Sequence, residues 1–129
     1  MKSDSVKSKS TRFGKRLERL RSRAYRTSMA QENAMTRIAI QIRLMREKAG
    51  LSQAELAERI GTRQGAIARL ESMTYGKYSM AMLQRIAEYF DVVAWVEFVP
   101  FSTLLQRTED LSPEALTPAS YDEQYGKDE

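Results

Sequence analysis

Apolar residues recur at three- and four-residue steps between residues 34 and 91, and this spacing predicts a series of short amphipathic helices. Gly50 ends the first of these helices, over 34–49, and Gly61 separates two very short ones. We expect the regularly spaced apolar residues to form one core; they are Ile38, Ile42, Met45, Leu56, Ile60, Ile67, Leu70, Leu83, Ile86 and Phe90. The pattern therefore predicts an all-α domain over 34–91.

The stretch from Ser52 to Glu71 carries several local signals for two helices joined by a tight turn. Ser52 is placed to cap the first helix, and Glu55 can reach back to the cap, which makes a capping box. Gly61 suits the left-handed turn that ends this helix, and Thr62 is the expected cap of the second. Together these spacings predict a helix-turn-helix.

The pattern changes on the N-terminal side of this domain. Residues 1–12 are rich in Ser and Lys and nearly free of apolar groups, which predicts a disordered basic arm. Phe13, Leu17 and Leu20 then recur with arginines between them, which predicts a basic amphipathic helix within 13–33. The apolar side of this helix needs a partner, either the core of its own chain or another subunit.

On the C-terminal side, residues 92–101 are rich in β-branched and aromatic residues, which predicts a strand. A lone strand is not stable, and the sequence shows no convincing second strand. The simplest solution is the same strand from a second subunit, paired antiparallel about a two-fold axis. The alternative is a strand-like segment packed on the helices of its own chain. The predicted dimer contacts are Val93, Trp95, Val96 and Phe98.

The charge is distributed unevenly, although the net charge is only +4. Residues 1–29 carry ten Lys and Arg against two acids, whereas residues 102–129 carry seven acids against two basic residues. A basic arm is typical of a segment that contacts nucleic acid, or it is simply a solvated tail. The acidic tail over 102–129 is predicted to be mostly disordered, apart from one helical turn that starts at Ser112.

The chain contains no cysteine and no histidine. Disulfides, thiolate metal sites, the usual zinc sites and triads with a histidine base are therefore excluded. We expect no metal, no cofactor and no catalytic residue, so the chain is not expected to be an enzyme. No apolar run approaches membrane-spanning length, and no hydrophobic segment follows the basic N-terminus as in a secretory signal. These observations predict a cytoplasmic protein without a membrane partner.

The helix-turn-helix residues carry a resemblance to a known family. The pattern Q-x-x-L-A-x-x-x-G-x-x-Q-x-x-I-x-x-x-E is present as Gln53, Leu56, Ala57, Gly61, Gln64, Ile67 and Glu71. Over roughly residues 38–90 the chain resembles the Cro/phage-repressor group, or Xre family. The resemblance implies a compact domain of four to five helices that binds double-stranded DNA. It also implies an internal salt bridge between Arg46 and Glu71.

The second helix of the motif, over 62–72, is the expected reader of base pairs in the major groove. The predicted base-reading residues are Arg63, Gln64, Gly65 and Arg69. Gln64 matches the base-reading glutamine of the family, whereas Gly65 stands where many relatives carry a side chain. Phosphate contacts position the protein without reading sequence. They are expected from Gln53, Arg43, Lys77 and Tyr78. In the family, the glutamine that matches Gln53 also braces the reading glutamine.

Two functions follow from this resemblance. The first is a dimeric, sequence-specific transcriptional repressor that reads a pseudo-palindromic operator. The second is an antitoxin that neutralises a toxin protein and represses its own operon, with the charged extensions folding on the toxin. The motif is shared by both kinds of protein, so both hypotheses remain open at the level of the sequence.

Overall fold

The structure is a computed structural model that describes residues 4–74 and 77–127, with side chains from residue 11 onward. In these ranges the regular structure is entirely helical, which confirms the predicted all-α class. The helices are α1 (Asp4–Arg19), α2 (Arg23–Lys48), α3 (Gln53–Ile60), α4 (Gln64–Leu70), α5 (Met80–Phe90), α6 (Phe101–Arg107), α7 (Pro113–Leu116) and α8 (Tyr121–Tyr125). Among these helices, none combines the length and the apolar character needed to cross a membrane.

The described residues form two compact units. The first unit comprises the described residues up to Asn33 together with Phe98–Asp110. The second comprises Ala34–Glu97 and the described residues from Leu111 onward. Helix α2 takes part in both units because it runs through residue 33 without a break.

The core of the second unit is the predicted one. Leu56, Ile67 and Ile86 are fully buried, and burial of such side chains contributes about 1.5–3 kcal/mol each. Ala57 is also buried, and its small side chain suits the close packing of α3 and α4. The remaining buried members of this cluster are Ile42, Leu51 and Leu70, and the partly buried residues packed against it include Ile38, Met45, Ile60, Leu83 and Phe90.

The N-terminal helices differ from the prediction in their boundaries. Helix α1 begins at Asp4, within the stretch for which we predicted a disordered arm, while residues 1–3 lie outside the described residues. Helix α2 is a single helix where the sequence predicted two. The break between α1 and α2 falls at Ser22, whose hydroxyl accepts a hydrogen bond from the Tyr25 N–H at 3.2 Å and so caps α2. Neither Gly nor Pro interrupts the chain after this cap, so the helix continues to Lys48.

Contacts with α6 cover only part of the apolar side of α1, because Phe13 and Leu17 remain 42% and 52% exposed. Leu20, which follows α1, is 7% exposed, and Leu105 on α6 is 1% exposed. The Arg16 guanidinium donates a hydrogen bond to the hydroxyl of Thr108 directly after α6. Such tertiary burial stabilises α1, because a short and largely polar helix is only marginally stable by itself.

The acidic tail is also more ordered than predicted. Ser112 caps α7 as expected, and its hydroxyl accepts from the Ala115 N–H at 3.2 Å. A second capping box, between Ser120 and Glu123, begins α8, although we predicted little order beyond residue 116. Tertiary contacts hold this tail on α2, because Leu116 is 2% exposed and Lys48 Nζ lies 2.7 Å from a Glu123 carboxylate oxygen. The hydrogen bond from Lys48 lowers the pKa of Glu123.

The prediction of a strand over 92–101 is wrong. Residues 92–100 follow α5 without helical structure, and they form no strand ladder with any other part of the described chain. A strand is defined by its backbone hydrogen bonds to a neighbour, and the single chain supplies no neighbouring strand in the described ranges.

Candidate nucleic-acid interface

Helix α3 starts as its sequence predicts. The Ser52 hydroxyl accepts a hydrogen bond from the Glu55 N–H at 3.0 Å, and the Ser52 N–H donates to the Glu55 carboxylate at 3.1 Å. Both halves of the predicted capping box are therefore present. The hydrogen bond that the carboxylate accepts from the Ser52 N–H lowers the pKa of Glu55, because it favours the ionised form.

The turn between α3 and α4 depends on Gly61, which adopts the left-handed conformation at φ 74°. The Thr62 N–H donates to the Ala57 carbonyl at 2.8 Å and closes the end of α3. Arg85 on α5 then donates to the carbonyls of Ile60 and Gly61, the latter at 3.0 Å. The sequence alone did not indicate Arg85, because its role depends on α5 lying beside the turn. We call α3, this turn and α4 (residues 53–70) the elbow.

Helix α4 begins at Gln64, and the predicted cap at Thr62 is wrong. The Thr62 N–H closes the end of α3, and Arg63 rather than Thr62 is the last extended residue before α4. Arg63 fills this capping position at φ −104° and ψ 150°, without a side-chain hydrogen bond to the helix. Arg63 therefore keeps its guanidinium available to other partners.

A chain of polar side chains connects α2 to α4. Arg46 and Glu71 form the expected ion pair, with two hydrogen bonds of 2.7 and 2.8 Å. Their side chains are only 13% and 4% exposed. Glu71 also accepts a hydrogen bond from Gln53 Nε2 at 3.3 Å, and Gln53 Oε1 accepts one from Gln64 Nε2 at 2.8 Å. The hydrogen bond to Glu71 raises the pKa of Arg46, although burial opposes it.

The chemistry of Glu71 determines how both glutamine amides are oriented. An ionised carboxylate only accepts hydrogen bonds, so Gln53 must turn its NH₂ group toward Glu71. The Gln53 oxygen then faces Gln64, which must donate to it through one N–H. Gln64 is left with its side-chain oxygen as an acceptor and a second N–H as a donor. The arrangement suits a base edge that offers one donor and one acceptor.

The four predicted base-reading residues are all exposed: Arg63, Gln64, Gly65 and Arg69. Ile67 and Leu70 bury the other side of α4, so the helix presents only one face to its surroundings. A Cβ placed on Gly65 meets no atom within 4 Å. The structure thus leaves open space at the position where many relatives carry a side chain.

The predicted phosphate-binding residues occupy different environments. Gln53 lies in the first turn of α3, where N–H groups without helical partners favour an anion. Arg43 and Lys77 are exposed, and Arg43 lies 3.8 Å from Glu47. Tyr78 differs from the expectation, because its hydroxyl donates to the Leu70 carbonyl at 2.9 Å and burial raises its pKa.

The segment after α5 exposes the predicted dimer contacts. Val93, Trp95, Val96 and Phe98 are 77%, 75%, 67% and 106% exposed. Val92 and Ala94 alternate with the first two of these and are half-buried. Together with Val93, Trp95 and Val96 they line a cleft of about 250 Å³, whose other lining residues include members of α2 and α5.

Comparison with known proteins agrees with this geometry. Residues 42–98 match the helix-turn-helix family HTH_3. The match contains the elbow and overlaps the range over which the sequence resembles the Xre family, and it confirms that resemblance. No curated protein and no solved structure matches the chain significantly.

Proposed function

We propose that this chain, a DNA-binding transcription regulator with an Xre-like helix-turn-helix domain, reads a specific operator by placing α4 in the major groove. The observation that carries the proposal is the hydrogen-bonded chain from Arg46 to Gln64. It holds an exposed glutamine amide in one orientation, so that little freedom is lost when the amide meets a base.

The free groups of Gln64 match one base in particular. Adenine presents an acceptor at N7 and a donor at N6 in the major groove, which pairs with the donor and acceptor that Gln64 retains. The exposed guanidinium groups of Arg63 and Arg69 suit the two acceptors of guanine. We therefore expect an operator half-site that contains an adenine and one or two guanines.

Repression is proposed to follow from dimerisation through residues 93–98. Aromatic side chains contribute about 150–250 Å² each, so Trp95 and Phe98 from two copies supply about 600–1,000 Å². A stable interface buries roughly 1,200 Å², and the exposed valines beside them supply part of the remainder. Two reading helices about 34 Å apart would bind a pseudo-palindrome and cover a promoter.

Selection of bound sites from random double-stranded DNA tests the proposal directly. We expect one enriched sequence, and Gln64→Ala should weaken its binding by about 1–3 kcal/mol and relax the preference at one base pair. Gln84→Ala is the matched control, because Gln84 is an exposed glutamine on α5. Failure to enrich any sequence, or equal effects of the two substitutions, would contradict the proposed reading. The antitoxin function and its toxin partner stay predictions.

A further inference from the structure

The N-terminal unit carries a surface that the reading helix does not explain. Residues 11–27 contain seven basic side chains and a single acidic one, Glu18. Four of the basic residues lie at helical steps of three and four along α1 and so share one side of the helix: Arg12, Lys15, Arg16 and Arg19. Two more, Arg21 and Arg23, flank the turn that follows.

Within the ranges that the structure describes, two of these seven cations contribute hydrogen bonds to the fold. Arg16 donates to Thr108, and Arg26 donates to the carbonyls of Leu20 and Arg21 at the end of α1. The other five are exposed, and none forms an ion pair with a described carboxylate; they are Arg12, Lys15, Arg19, Arg21 and Arg23. We call these five residues the basic stripe.

The basic stripe has a cost to the free protein. Like charges three or four residues apart on a helix repel each other and destabilise it. Within α1, Arg12 and Lys15 are three residues apart, and Lys15 and Arg19 are four residues apart. A polyanion would remove the repulsion and would gain from the release of its counterions.

We propose that the basic stripe binds the phosphate backbone of DNA beside the operator, as a contact separate from that of α4. This inference rests on the proposed function for the choice of DNA as the polyanion. The helical part of the stripe, from Arg12 to Arg19, is about 10 Å long. One DNA strand advances by about three phosphates over that distance, so three helical cations match three phosphates.

The dependence of DNA affinity on salt measures this contact. Each neutralised phosphate contributes about −0.9 to the slope of log affinity against log salt. Replacing three members of the stripe, R12Q/K15Q/R19Q, should make the slope less steep by two to three. Glutamine favours helix, and circular dichroism verifies that α1 remains folded.

The matched control removes the same charge elsewhere. The variant R59Q/R107Q/K127Q lowers the net charge by the same amount, at exposed residues outside the stripe and outside α4. We expect its slope to stay within one of the wild type. Equal slopes for the two triple variants would overturn the proposal, because only general charge would then matter.

The outcomes also separate this inference from the reading function. The stripe variant should keep the base preference and lose salt dependence, whereas Gln64→Ala should lose base preference and keep the slope. Wild-type protein that binds DNA without preference would overturn the reading function alone. Binding to vesicles rich in anionic lipid that the stripe variant loses, with an unchanged slope on DNA, would assign the stripe to a membrane instead.

Discussion

The elbow and the segment over 92–100 differ in how much of their stabilisation lies within one chain. In the elbow, helix ends are capped, apolar residues are buried, and polar side chains find partners as far away as α2. In the segment, Trp95 and Phe98 are exposed and no strand pairs with the backbone in the described ranges. The first region is packed and hydrogen-bonded within one chain, whereas the second leaves large apolar side chains exposed.

This difference separates two requirements of a DNA-binding regulator. The surface that reads bases must already be ordered before binding, because an ordered side chain loses less freedom on the DNA. The surface proposed to join two copies must instead remain exposed in each copy. Local sequence signals therefore predicted the elbow correctly, but they also predicted a strand that the single chain does not form.

The largest expected effect follows from removing the Arg46–Glu71 ion pair, which connects the elbow to α2. Glu71→Ala removes the carboxylate partner of the mostly buried Arg46, which keeps its hydrogen bond to the Leu51 carbonyl, so we expect a loss of about 3 kcal/mol of the free energy of unfolding. Urea denaturation measures it. Glu123→Ala removes the partner of Lys48 at a half-exposed site and should cost far less. Equal losses would show that the elbow is not held from α2 in the way described.

The next effect acts at the turn of the elbow. Gly61→Val forces a β-branched residue into a left-handed conformation and brings its Cβ within 3.2 Å of the Arg85 guanidinium, so we expect a loss of about 2 kcal/mol. Gly65→Ala is the control, since its Cβ enters open space within a helix and should raise stability by about 0.5–1 kcal/mol. Thermal denaturation compares the two, and an undisturbed Gly61 variant would contradict the role of the turn.

The smallest effect on folding, and a large one on assembly, is expected in the segment. Trp95→Glu should weaken self-association at least tenfold, about 1.4 kcal/mol, while each copy stays folded because this side chain is exposed. Sedimentation equilibrium measures the association. Tyr125→Glu is the control, because Tyr125 is 73% exposed on α8 and lies outside the segment. A monomeric wild type, or a Trp95 variant of unchanged mass, would remove the dimer proposal.

Much of the candidate site was predictable because its signals are local. A capping box spans three residues, and a left-handed glycine is specified by its own lack of a side chain. The resemblance to the Xre family implied the Arg46–Glu71 pair and the bracing of Gln64 by Gln53, and the structure contains both contacts. The Thr62 cap was wrong because Thr62 still belongs to the turn that closes α3, and α4 begins only after Arg63.

Other features needed the folded chain. Nothing near Arg85 in sequence indicates that it donates to the carbonyls of the turn, and nothing near Tyr78 indicates that its hydroxyl donates to Leu70. The extent of α1 and the order of the tail also depend on distant burial, at Leu105 and Leu116.

The sequence by itself determined the helical period, the helix-turn-helix and the polar residues exposed on α4, because these depend on groups within one or two turns of each other. The tertiary structure decided which polar groups are available to DNA and which are used inside the domain. The physical reason is that each donor or acceptor serves few partners, and the folded chain alone determines which partners come within reach.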